Sequence, residues 1–234
     1  MLMRGCLPPT FTGTETHFAA ASPRFNVEPA PDAVVNPDGA AESIGYLLND
    51  QKSDCVIVSI LRIHQRQMPG FVPTDAMAGE LFNHFGAPAD GLDPNAVLTE
   101  WRDNGLPYLG KIPGYFVVDL ANGTEIVQAI WRAKALMVCS LLPTEADQVF
   151  PGAWEAPMTA LPPNGGHAYV ADGYDQRQSD VKLSRITWGS YLWGGVDLAF
   201  VNAYQMAPKS GFAVVPASMP DLARMLEEIE EQAA

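Results

Sequence analysis

Apolar and polar positions divide the chain into stretches of different texture. Residues 1–40 keep no period of two or of 3.6, and prolines recur at Pro8-Pro9, Pro23, Pro29, Pro31 and Pro37. Prolines at that density disfavour helix and hold a chain extended or turned. From Asp54 the pattern becomes helical. Ser53 or Asp54 can cap, and Cys55-Val-Ile-Val-Ser-Ile-Leu-Arg-Ile63 is apolar almost all round, which predicts a helix buried inside a domain. Thr74 caps a second helix carrying Leu81, Phe82 and Phe85. Asp93-Pro94 opens a third, with Val97, Leu98 and Trp101 inward and Asn104-Gly105 to stop it.

The second half changes period. Tyr115 to Leu120 reads as a strand, Asn122-Gly123 as a turn, Thr124 to Lys134 as a short helix and Ala135 to Leu142 as a buried strand. Strands at His167 to Tyr174 and Val181 to Trp188 surround a turn at Asp175 to Asp180. A helix over Val196 to Tyr204 leads to a last strand, Phe212 to Val215. Pro220 to Gln232 is amphipathic, with Leu222, Met225, Leu226 and Ile229 on one side and glutamates on the other. Helices first and strands second predict an α+β domain in two lobes, with a central buried helix and then an antiparallel β-sheet. Three units are expected: a proline-rich extended arm over 1–40, the domain over 41–218 and the amphipathic helix over 219–234. The arm has little to bury by itself. It is expected to make few contacts with its own domain and many with a protein partner in an assembly.

Charge narrows the partners. Lys and Arg total 14 against 27 Asp and Glu, a net charge of −13, and no basic run supplies a local positive surface. Nucleic acid and anionic membrane are therefore excluded as expected partners. Met1 to Cys6 lacks the apolar core of a secretory signal, and no stretch approaches transmembrane length, so a cytoplasmic or particle-associated location is expected. The cysteines, Cys6, Cys55 and Cys139, are odd in number and far apart. They predict neither a disulfide framework nor a metal site.

Two segments carry chemistry. In Asn49-Asp-Gln51-Lys-Ser-Asp-Cys55 the thiol falls at the first turn of the buried helix, where the helix dipole and free N–H groups favour thiolate. Gln51 can offer its side-chain amide beside the Cys55 N–H, the two donors that an oxyanion needs. In Pro163-Asn-Gly-Gly-His167-Ala-Tyr-Val-Ala-Asp-Gly-Tyr-Asp175, glycines precede a histidine at a strand start, a rigid seat for a base. Each segment also has a plain structural reading, a thiol filling the core and a buried ring at a strand end.

In order, Gln51, Cys55, Gly166-His167-Ala168, Gly173-Tyr174 and Thr187-Trp188-Gly189 resemble the papain-like cysteine peptidases, and in particular a divergent phage and bacterial branch. The resemblance implies Cys55 as nucleophile, His167 as base, Gln51 with the Cys55 N–H at the oxyanion, a peptide or protein substrate and no cofactor. Two positions depart from the family. Val56 replaces the aromatic residue after the nucleophile, and Ile186 stands where an Asn orients the imidazole. Thr187 can take over the orienting task if it faces His167; the opposite strand register leaves Ile186 there instead. Two functions follow: a weak or degenerate peptidase or amidase, or an inactive papain-fold component of an assembly such as a phage particle. His17, His64, His84 and Cys139 read as structural. Asp172 lies inside an apolar strand, needs a partner, and has Arg185 as the candidate from the next strand.

Overall fold

The computed structural model describes residues 5–20, 29–35, 45–158, 165–177 and 179–233. Helix α1 (Cys55–Gln67) is buried for most of its length, as its nearly continuous apolar run requires. Helix α2 (Asp75–His84) starts where the Thr74 hydroxyl accepts from Met77 N–H, and α3 (Pro94–Asp103) where the Asp93 carboxylate accepts from the N–H groups of Asn95 and Ala96. Asn122 caps α4 (Gly123–Ala133) in the same way. Short helices α5 (Thr144–Val149) and α6 (Leu198–Tyr204) and the terminal α7 (Pro220–Ala233) complete the set.

The strands are β1 (Ala33–Val34), β2 (Gly114–Val118), β3 (Leu136–Leu141), β4 (Gly166–Ala171), β5 (Tyr174–Asp175), β6 (Lys182–Thr187), β7 (Ser190–Asp197) and β8 (Gly211–Val215). They form one antiparallel sheet in the order β1-β5-β6-β4-β3-β8-β2, with β7 paired to β6. Alternation along each strand sorts the core into two layers. Met137, Cys139, Ala168, Val170, Ile186, Phe212 and Val214 face α1. Leu136, Val138, Tyr169, Ala171, Ala213 and Val215 face the layer built by α4, α6 and α7. The helical first half and the antiparallel second half are as the sequence predicts.

Three details differ from that reading. Residues 190–195, given no element from sequence, form most of β7, and the helix expected from Val196 begins at Leu198. Helix α5 and strand β1 were not anticipated. The described part of the arm lies on its own domain. Val117 N–H donates to Thr16 O at 2.9 Å, Thr10 N–H to the Asp93 carboxylate at 2.9 Å, and the buried Phe18 ring meets Phe116 edge-on at 5.7 Å. Phenylalanines and backbone donors, not proline content, decide where this stretch packs. Residues 1–4, 21–28 and 36–40 of the arm, and 41–44 at the start of the domain, lie outside the described residues.

Candidate active site

Cys55 is the first residue of α1, and the Ala168 N–H of β4 donates to its sulfur at 3.4 Å. The thiol therefore rests against the peptide that follows His167. His167 is the second residue of β4, in register with Ser140 of β3, and its ring is fully buried. Its Nε2 shares a 2.6 Å hydrogen bond with the Thr187 hydroxyl at the end of β6. For Nδ1 to take a proton, the ring's own hydrogen has to sit on Nε2, and Thr187 is then the acceptor. Ile186 points the other way, into the layer facing α1. Of the two registers open from sequence, the chain adopts the one with Thr187 on the histidine. The Trp188 ring stacks on the imidazole with centroids 4.2 Å apart, and Trp154 meets both rings at steep angles.

The residues before Cys55 divide their tasks. Asn49 is buried and donates its amide to Asp54 Oδ1 at 3.1 Å. Gln51 is exposed in the turn, with its backbone N–H on Leu48 O. The Asn49 amide is thus committed inside the protein, and the Gln51 amide is the one of the pair that faces solvent. Asp54 is fully buried, and its Oδ2 has no hydrogen-bond partner among the described residues. Burial raises its carboxyl to about 7 against the pull of the Asn49 bond.

Burial also raises the Cys55 thiol far above its ordinary range, and the neighbouring Cys6 sulfur adds to that; N–H bonds from Ala168 and Gly5 oppose it. Cys6 and Gly5 belong to the arm, so the N-terminal segment reaches the thiol itself. Gly5 and Cys6 are buried there, and the Cys6 side chain contacts Cys139 of β3. Nothing in the sequence pattern pointed to this segment, because its partners lie far away along the chain.

Asp172 is paired, but not with Arg185. Arg66 in the last turn of α1 reaches Asp172 Oδ2 at 2.6 Å, and the Ser184 hydroxyl donates to Oδ1 at 2.5 Å. Arg185 instead lies 4.1 Å over the Trp154 ring and donates to the carbonyls of Pro151, Gly152 and Gly195. A flat guanidinium bonded to carbonyls through both terminal nitrogens and stacked on indole tolerates burial that an ammonium would not. Among the described residues, no group of three His, Cys, Asp or Glu side chains is arranged to hold a metal ion, and no helix is long and apolar enough to cross a membrane.

No protein-family model and no curated protein sequence matches the chain. Solved structures do. Xylellain, a cysteine protease from Xylella fastidiosa, aligns with a TM-score of 0.61 at 10% identity, over 92% of this chain and 97% of that one. Procathepsin B S9 from Trypanosoma congolense gives 0.60 at 13%, over 92% and 86%. The digestive procathepsin L 3 of Tenebrio molitor gives 0.62 at 12%, over 89% and 76%. The fold is that of the papain-like cysteine proteases. At such identities the likeness is one of backbone, so activity in this papain-like chain has to be argued from the residues around Cys55.

Proposed function

We propose that the protein is a papain-fold cysteine peptidase or amidase of weak activity, of the divergent phage and bacterial kind that its motifs resemble. The observation that carries this reading is the Thr187–His167–Ala168–Cys55 chain of contacts. A hydroxyl holds the imidazole by Nε2, and the next peptide N–H holds the sulfur. In the reaction, Cys55 Sγ bonds to the carbonyl carbon of a peptide while its proton passes to His167, whose ring has first to turn from Trp188 on the far face of β4 toward the thiol. The oxyanion is held by the Cys55 N–H and the Gln51 amide. Collapse breaks the C–N bond, and the amine leaves with the proton from His167. Water then cleaves the thioester, giving the carboxylate and the free thiol. Weakness follows from the elevated thiol, since only thiolate attacks, and from a hydroxyl doing the work of an amide at position 187.

Incubation with a peptide library, read by mass spectrometry beside Cys55→Ala, tests the proposal. Slow cleavage that vanishes in the variant supports it, and cleavage that persists in the variant refutes it. One observation favours a second reading, an inactive papain-fold component of an assembly such as a phage particle. The thiol is sealed under the chain's own Gly5 and Cys6. In that reading the remainder of the arm contacts protein partners. No cleavage, together with loss of incorporation when the arm is removed, would favour it.

A further inference from the structure

The N-terminal segment reveals what fits beside Cys55. Gly5 to Leu7 crosses the site as an extended strap. Leu92 N–H donates to Gly5 O at 2.9 Å, Leu7 N–H to Leu92 O at 2.9 Å, and Cys6 N–H to Gly166 O at 3.2 Å. The pairing with Leu92 is parallel. All three bonds join main chain to main chain, so the groove recognises an extended peptide backbone whatever its side chains.

Room for side chains is another matter. A Cβ added to Gly5 would stand 2.0 Å from Ser53 O and 2.5 Å from Ser53 Cα. From the opposite wall, a Cβ on Gly91 would stand 2.0 Å from Gly5 O and 2.3 Å from Gly5 Cα. Further along, a Cβ on Gly166 would stand 2.1 Å from Cys6 O. These obstacles are backbone atoms, which no rotamer change can move aside. Gly91 also has a φ of +93°, so its bare Cα is required twice over. The slot between Ser53 and Gly91 is one peptide backbone thick.

We propose that this slot selects glycine, so that the peptides accepted by the site carry glycine at the residue lying against Cys55. The proposal rests on the cysteine-peptidase reading above and names its substrate class. The strap itself is not placed for cleavage. Its Gly5 N–H is the group turned to the sulfur, while the Gly5 carbonyl is turned to Leu92. A substrate replaces the strap, and a residue with a Cβ meets the same walls that Gly5 alone avoids.

Two chloromethyl ketones test this on the full chain, acetyl-Leu-Leu-Gly and acetyl-Leu-Leu-Ala, each bearing the reactive ketone on its last residue. Cys55 sulfur displaces chloride, forming a C–S bond and releasing chloride and a proton, and peptide mapping identifies the modified cysteine. Iodoacetamide, run in parallel, reports whether the thiol reacts at all. The glycine reagent is expected to label Cys55 at least about 50-fold faster than the alanine reagent. Equal rates, or iodoacetamide labelling with neither ketone reacting, overturn glycine selection and leave the thiol chemistry standing. Failure of all three reagents removes the peptidase reading and this proposal with it. An independent variant, Gly5→Ala, places the forbidden Cβ on the strap. Its strap is expected to leave the slot and iodoacetamide labelling of Cys55 to rise about tenfold or more; an unchanged rate means that the slot tolerates a Cβ and overturns the proposal.

Discussion

The two ends of α1 are built from the same parts and finished differently. At the start, Cys55 meets the Ala168 N–H of β4, while the His167 ring lies with Tyr169 and Trp188 on the other face of that strand and takes a hydroxyl from Thr187 of β6. In the last turn, Arg66 meets Asp172 just beyond β4, and Ser184 of β6 supplies a hydroxyl. In the second cluster the charges are matched, and Ser184 Oγ also accepts from the N–H groups of Asp172 and Gly173. A cation at the negative end of a helix, paired with a buried carboxylate, pins the helix to the sheet. At the first end the thiol is pushed toward its neutral form. One end is locked so that the other can stay uncharged and still keep its position.

The largest expected effect comes from breaking the lock. Arg66→Ala removes the cation paired with the buried Asp172 carboxylate and is expected to cost about 3–5 kcal/mol, measured by urea unfolding. If the loss is below about 1 kcal/mol, the helix is held by packing alone. Next comes Asp54, beside the thiol. Its carboxyl is raised to about 7 in the folded chain, against about 3.9 when free. The unfolded chain gives up this proton more readily, so the contribution to stability is complete below about pH 4 and lost as pH rises through about 7, at most about 4 kcal/mol. Unfolding curves of Asp54→Asn and of the unmodified protein are therefore expected to differ in pH dependence over that window. Identical pH profiles would contradict the burial argument.

Smaller changes probe the open end. Thr187→Val takes the hydroxyl from the buried imidazole and is expected to cost about 1–3 kcal/mol and to slow Cys55 alkylation. Ile186→Asn is expected to give no gain in alkylation, because its side chain lies on the other face of β6; a gain would mean that the strand presents position 186 to the histidine. Gln51→Ala is expected to change stability by less than about 0.5 kcal/mol, since the side chain is exposed, while lowering any Cys55-dependent cleavage by about a hundredfold.

What could be read from the sequence follows the range of the forces involved. Helix starts at Thr74, Asp93 and Asn122 were legible because caps act within a few residues; at Cys55 the apolar spacing alone marked the start, since Asp54 makes no side-chain cap there. Strand β7 was not, because Ser190 to Gly194 is only half-buried and two glycines follow one another at 194 and 195; its pairing with β6 makes it a strand. For Asp172 the sequence favoured Arg185 on the next strand, whereas the partner comes from a helix far upstream. The strap was invisible for the same reason. Its seat consists of Ser53, Leu92 and Gly166, and an extended tripeptide carries no period announcing them.

That scattered seat has a consequence for the order of folding. Cys6 bonds to Gly166 and Gly5 to Leu92, contacts that close very long loops and give nothing until both partners are fixed by the sheet and the helices. The strap is therefore expected to dock last in folding and to be among the first parts to open in the native protein. A newly made chain passes through a state in which α1 is formed and Cys55 is still uncovered. Pulse labelling during refolding is expected to catch Cys55 in that interval, before the amides of Cys6 and Leu7 gain protection from exchange.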